Sequence, residues 1–213
     1  VPAEGTGSLW GLKAAAGHGL TDAAYKHKQT PFTLMSLHSG GAGARPTLDG
    51  LNATPFPSGV KNVPVEVTEA LTPLVVWEKS LRTDSGGAGR TRGGLGQTMV
   101  VGSREETPFV VFATFDRVEN PPQGREGGQP GANGVVRLET GEKLKAKGAQ
   151  TVPAGARLVL EMPGGGGYGD PAERPLEDIA RDLQKGYISD AAARDLYGVE
   201  RGANGALHRR SHN

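Results

Sequence analysis

Arginines set beside glycine clusters are the residues of this chain best placed to do chemistry. Asp84-Ser85-Gly86-Gly87-Ala88-Gly89-Arg90 runs on to Arg92-Gly93-Gly94, and Gly40-Gly41-Ala42-Gly43-Ala44-Arg45-Pro46 leads to Asp49. A glycine nest at Gly86 and Gly87 offers backbone N–H groups, and flanking guanidinium groups can complete a site for carboxylate, phosphate or carbonate. The same arginines can instead pin neighbouring loops or pair across a subunit contact, and both readings stay open. Asp84-Ser85-Gly86 reads first as an Asx-type turn, and Ser85 lacks the strand–elbow context of a nucleophile.

His38 adjoins the first glycine cluster and is the histidine best placed for a functional role; a structural role is the alternative. His18 and His27, with Asp22 between them, match no compact zinc spacing and read as surface residues. A formal GxGxxG stands at Gly164, Gly166 and Gly169, after an expected strand at 157–162. Its context fails, because Asp170-Pro171 separates the glycines from the next helix and no second strand or acidic ribose ligand follows. No Walker A pattern occurs, so the chain shows no phosphate cradle for ATP.

These groups need elements to hold them. The chain has 213 residues, enough for one substantial core or two small ones. Glycine and proline are abundant (34 and 15 residues) and aromatics make up only 5%, so a loop-rich unit with a modest aliphatic core is expected. Such glycine density needs either φ > 0 turns or backbone packed against backbone or ligand. The net charge of +1, with both signs interspersed, argues against nucleic acid or an anionic membrane as partner. Cysteine is absent, which fits the cytoplasm. The chain opens on Val1 rather than Met, which points to a piece of a longer polypeptide or a processed subunit.

Residues 1–35 read as an irregular segment, in which 11–16 and 21–26 are either short helical turns or irregular connections. Residues 36–170 read as a glycine-rich β domain. Its strands are expected at Pro31–Leu37 leading in, around Val63, Val65 and Val67, and at 74–77, 98–101, 109–115, 135–138, 151–152 and 158–162. Turns are expected at Asn133-Gly134, Thr140-Gly141 and Pro153-Ala154-Gly155. Residues 171–199 read as a helical pair. Pro175 opens the first helix, Leu176, Ile179, Ala180 and Leu183 form its apolar stripe, and Gly186 stops it. Ser189 caps the second, through Ala191, Ala192 and Leu196, and Gly198 ends it. Residues 200–213 read as a flexible tail. The fold class is α+β, predominantly β: a sandwich or barrel-like unit with a C-terminal helical pair.

Taken in order, the motifs resemble the hydantoinase B/oxoprolinase family. They are Gly40–Pro46 with Asp49-Gly50, Asn62–Glu69, Asp84–Gly96, Gly124–Gly128 with Gly131, Pro163–Pro171 and the closing Tyr197-Gly198-Val199. The resemblance covers most of residues 36–199 and rests on collinear order, since each motif alone is weak. It implies a fragment or subunit of an ATP-dependent enzyme that hydrolyses a cyclic amide: a lactam, imide or hydantoin. Phosphorylation of the ring carbonyl oxygen would overcome amide resonance before water attacks. The alternatives are a non-catalytic assembly module of such a complex, or a subunit of an acetone- or acetophenone-type carboxylase. ATP and Mg2+ would reside in a hydantoinase A-type partner, and a divalent metal in the N-terminal part of the B-type subunit, with none bound to this chain. Within that frame His38, Asp49 and Asp84 are expected near the site. Arg45, Arg90, Arg92, Gly86 and Gly87 are expected to hold substrate or anion, and Asp49 and Asp84 to orient loops or a cyclic amide N–H.

Overall fold

The computed structural model describes residues 1–6, 10–17, 20, 23–25, 28–54, 60, 63–202 and 205–210. The fold is mostly β, with two four-stranded antiparallel sheets and helices α1 (Val65–Leu71), α2 (Leu176–Gln184) and α3 (Asp190–Tyr197). One sheet contains β1 (Trp10–Ala16), β2 (Phe32–His38), β5 (Phe109–Thr114) and β7 (Lys147–Val152) in the order β2-β1-β5-β7. The other contains β3 (Leu74–Leu81), β4 (Gln97–Ser103), β6 (Val135–Leu138) and β8 (Leu158–Glu161) in the order β3-β4-β8-β6. Alternate residues of both sheets, among them Leu12, Ala14, Met99, Val101, Phe109, Val111, Leu158 and Leu160, meet in one buried core.

Four local expectations are corrected. Residues 10–16 form a strand between β2 and β5, not helical turns. The alanines that favour helix in isolation are the small residues that let this interior strand pack on both faces, and tertiary burial overrides propensity. Residues 65–71 form α1 after Pro64, not a strand: Thr68 is buried and Val67 and Leu71 are exposed, so the inward spacing is helical. Gly134 makes no turn; it lies flat against the Trp10 ring, where a methyl group would not fit. In the expected tail, β9 (Val199–Arg201) pairs with β10 (Leu207–Arg209) as a hairpin. His18, Asp22, His27 and Asn62 lie outside the described residues.

The helical pair forms as its caps dictate. The Ser189 side chain accepts from Ala192 N, and Gly186 and Gly198 take positive φ after the two helices. The inward faces differ from the expected stripes. In α2, Ile179 and Asp182 are buried, while Leu176 is exposed; in α3, Ala192, Ala193 and Tyr197 are buried, while Leu196 is exposed. Ile179, Ala192, Ala193 and Tyr197 join Ala88, Ile188 and Val199 in a second apolar cluster.

Between the sandwich and the helices lies a core that has almost no side chains. Residues 163–168 form its axis. The N–H groups of Gly164 and Gly167 donate to Ala132 and Gln129, and those of Gly165 and Tyr168 donate to Gly94 and Thr91. The carbonyls of Pro163 and Gly166 accept from Gly41 and Ala44. Neighbours therefore recur every third residue, in three directions. A pleated strand bonds in two; an extended helix of about three residues per turn, of the polyproline-II kind, bonds in three.

The segments around this axis close a ring through their own backbone bonds. Ala3 N donates to Ala44 O (2.8 Å), Gly94 N to Ala42 O (2.8 Å) and Gly93 N to Gly87 O (2.9 Å). Gln129 N donates to Ala88 O (2.7 Å), Gly131 N to Pro122 O (2.9 Å) and Glu4 N to Gln123 O (3.0 Å). Of the two reasons for glycine density, close approach is the one that holds here. Gly41, Gly93 and Gly165 have no positive φ, and a methyl group on any of them would fall on the carbonyl of Gly94, Gly165 or Ala42. Gly86 and Gly87 belong to the same bundle, blocked by Gly93 and Gln129. Trp10 ties bundle to sandwich: its ring stacks on Phe115 at 4.6 Å and its indole N–H donates to Asp116 O.

Candidate functional site

The loop after Gly43, the 90–95 segment of the bundle and helix α2 converge on Arg174. Asp170 caps a short 3-10 turn at Pro171–Glu173, its carboxylate accepting from Ala172 N, and this turn delivers Arg174 inward just before Pro175 starts α2. The guanidinium is fully buried. It grips Asp49 with both terminal nitrogens, Nη1 to Oδ1 and Nη2 to Oδ2, each at 2.8 Å. Nη2 also reaches Asp182 Oδ2 at 2.7 Å, and the same oxygen accepts from Arg92 Nε at 3.1 Å. Asp49 Oδ1 accepts in addition from Arg92 N at 2.7 Å.

The result is an alternating chain, Asp49–Arg174–Asp182–Arg92, with charges balanced. Burial opposes ionisation of Asp49, but the hydrogen bonds and charge of Arg174, followed by Arg92, hold its carboxyl below the ordinary aspartate range. Burial likewise opposes the charge on Arg174, and Asp49 and Asp182 more than compensate, raising it above the ordinary arginine value. Tyr197 is packed nearby; burial is the main cause that pushes its hydroxyl up to about 12. Two buried polar atoms of this cluster, Arg174 Nε and Tyr197 Oη, have no partner among the described residues. Arg92 also lies over the Tyr187 ring at 5.2 Å.

The residues singled out from sequence are divided by the fold. Asp49 and Arg92 enter the buried chain. Arg45 stands beside it, donating to the backbone carbonyl of Asp49 at 3.2 Å. Arg90 is at the rim, its side chain exposed and 3.3 Å from Glu173, while its backbone carbonyl accepts from Arg174. Asp84 is separate: at φ +61 it clamps the start of α3, its carboxylate accepting from Ser189 N at 2.7 Å and its N–H donating to Tyr187 O. An exposed pair such as Arg90–Glu173 is worth little. Arg90→Ala is therefore expected to change unfolding stability by less than about 0.5 kcal/mol in urea titration, so that any loss of turnover in that variant reports on function and not on folding.

His38 is in neither group. It lies in the sandwich, buried, its Nε2 2.9 Å from Ser36 Oγ. The pair has the spacing of a serine–histidine dyad, but the adjoining cavity holds about 10 Å3, too little to admit a substrate. Burial, with a smaller effect of Lys79, lowers its pKa from 6.5 to about 4. The folded state thus keeps His38 neutral while the unfolded chain takes up a proton as pH falls below 6.5. Stability from this source is full above that pH and falls by about 3 kcal/mol toward pH 4, and His38→Gln should flatten that slope in denaturation curves across the window.

Arg174 and Asp182 escaped the sequence reading. A signal was present: Asp182 is three residues from Ile179 on the inward face of α2, and a buried carboxylate requires a buried cation. Every carboxylate in this cluster is already paired with arginine, so the arrangement locks loops together and leaves no free base or nucleophile. Among the described residues no group of three His, Asp or Glu comes together to hold a metal ion. Among them, too, no helix is long and apolar enough to cross a membrane.

The hydantoinase B/oxoprolinase family model matches residues 1–171. The caprolactamase beta chain of Pseudomonas jessenii is 31% identical over 198 residues, spanning 85% of this chain and 33% of the relative. The B chain of a putative D-/L-hydantoinase of Pseudomonas sp. (strain NS671) is 31% identical over 209 residues, spanning 93% of this chain and 33% of the relative. The crystal structure of the ATP-dependent caprolactamase from Pseudomonas jessenii superposes with a TM-score of 0.75 at 28% identity, covering 93% of this chain and 36% of that one. The chain thus spans about a third of the length of these relatives.

Proposed function

The chain belongs to the hydantoinase B/oxoprolinase family, and we propose that it forms the scaffold portion of the B-type subunit of an ATP-dependent enzyme that opens a cyclic amide ring. The observation that carries this reading is the side-chain-free bundle, clamped at one end by the Arg174 ion pairs. Such a core spends many glycines on rigidity and leaves its rim to be used by loops. Relatives whose names specify a caprolactam ring and a hydantoin ring support a cyclic amide as the substrate class.

The division of labour follows from chemistry. Resonance makes a ring amide a poor electrophile, and ATP held by an A-type partner, with Mg2+ offsetting phosphate charge, would supply the activation. This chain's described residues offer no donor set for that metal, and no step is assigned to them through it. Their part is to hold the loop at 45–52 and the 90–95 segment in fixed relation. Arg45 is the cation of that loop whose charge no carboxylate among the described residues neutralises, and it is the residue we assign to an anionic group of the substrate.

The test is turnover by the complex copurified from the native source, with 5-oxoproline, hydantoin and caprolactam as substrates and ADP release as readout. Ring opening stoichiometric with ADP, absent for the 213-residue chain alone, is expected. Ring opening by the isolated chain without ATP, or ADP release that requires bicarbonate, would contradict it; the second result would assign the complex to carboxylation.

A further inference from the structure

Among the described residues the bundle has one direction in which a neighbour is missing. Segment 41–44 obeys the same three-residue period as the axis. Gly41 and Ala44 donate to Pro163 and Gly166, and their carbonyls accept from Thr6 and Ala3. Ala42 donates to Leu51 and accepts from Gly94. Gly43 falls in the third direction, and among the described residues neither its N–H nor its carbonyl has a backbone partner. Gly5, packed directly against it, is in the same condition. Both are half-buried and border a cavity of about 400 Å3, whose other walls include Pro2, Arg45, Leu51 and Thr54.

We propose that this groove seats a further extended strand of about three residues per turn, rich in glycine and alanine, supplied by the part of a B-type subunit outside the region represented here. The inference rests on the subunit reading above. Three observations choose the occupant. The free groups are two backbone donors and two backbone acceptors, so a strand with its own N–H and C=O groups can satisfy them, whereas an apolar ligand would bury them unpaired. The floor is backbone and small side chains, which leaves little depth for large residues. The relatives carry most of their length outside the aligned region, since this chain covers 33% and 36% of them.

The test uses the 213-residue chain, 15N-labelled, titrated with the acetylated, amidated peptide Gly-Ala-Gly-Gly-Ala-Gly. The Gly43 and Gly5 amides are expected to shift saturably, and exchange of the Gly43 amide to slow about tenfold. Leu51→Trp, which fills the groove while keeping the backbone bond from Ala42, should abolish both effects. The chain has no cysteine, so Leu51→Cys supplies a single thiol, expected to react with maleimide more slowly in the copurified complex than in the isolated chain. A Gly43 amide already protected in dilute isolated chain, shifts elsewhere or none, or a thiol equally reactive in the complex would each overturn the proposal. Protection that grows with chain concentration alone would assign the groove to a second copy, which also overturns it. If the complex opens rings while the thiol stays reactive, only this inference fails. If the peptide binds and the complex proves inert, only the assigned function fails.

Discussion

Replacing Arg174 with methionine is expected to lower the unfolding free energy by about 3–5 kcal/mol, the range for stripping one partner from a buried ion pair. The side chain is fully buried, and its removal leaves Asp182 with one arginine and Asp49 with only the Arg92 N–H. Arg174→Lys keeps the charge but loses the two-nitrogen grip on Asp49, so an intermediate loss is expected. The Asp49 carboxyl also gives the pair an acid limit. Its folded pKa lies below the ordinary 3.8, so its contribution is present above that value and is lost as pH falls through the folded pKa. In Arg174→Met that limb should shrink, with only Arg92 left to favour the Asp49 carboxylate. Urea denaturation at several pH values measures both effects, and a loss below about 1 kcal/mol at neutral pH would mean that the clamp does not hold the fold.

Gly165→Ala is expected to be at least as damaging. The added methyl would meet the Ala42 carbonyl, an atom of a neighbouring backbone that has no rotamer with which to yield. Overpacking between mobile side chains costs about 1–3 kcal/mol, and a backbone collision at the axis of the bundle should exceed the upper end of that range. Set against a total stability of roughly 5–15 kcal/mol, the variant should fold poorly or melt far earlier. Gly11→Ala is the control. Its new methyl would sit 3.5 Å from Thr114 Oγ1 and 3.7 Å from Leu37 Cδ2, ordinary contact distances, so a change of less than about 1 kcal/mol is expected. Equal losses in the two variants would show that glycine at the bundle is no more necessary than glycine in a strand.

Those two sites mark the boundary between what the sequence discloses and what it does not. Strands β2, β4, β5, β6 and β8 are legible because β-branched and aromatic runs stand between turn signals, whereas only 74–77 of β3 and 151–152 of β7 carry that signal. The helical pair is legible from Pro175, Ser189, Gly186 and Gly198, each of which serves the helix end its chemistry suits. Strand β1 was hidden by three successive alanines, whose helical preference yields to burial between two strands. Helix α1 was hidden because valines at alternate positions imitate a strand over so short a stretch. The bundle is visible only as glycine density. Its three-residue period lives in backbone hydrogen bonds and leaves no alternation of apolar and polar side chains to read.

The candidate site residues divide the same way. The arginine–glycine proximity in the sequence brought Asp49 and Arg92 to notice, and two explanations competed for Arg92. The bland one accounts for its geometry, because its side chain is consumed by Asp182 and the Tyr187 ring. Asp84 holds a loop against α3, and His38 is enclosed in the sandwich. Arg174, the centre of the cluster, stands far from both glycine motifs in sequence, and only the tertiary fold brings it to them.

Amide hydrogen exchange along the axis tests the account most directly. If residues 163–168 are the centre of a hydrogen-bonded backbone core, the amides of Gly164, Gly165, Gly166 and Gly167 should exchange as slowly as those of β4 and β8, through global unfolding. Exchange of these glycines at the rate of an exposed loop, while the sheets stay protected, would contradict it.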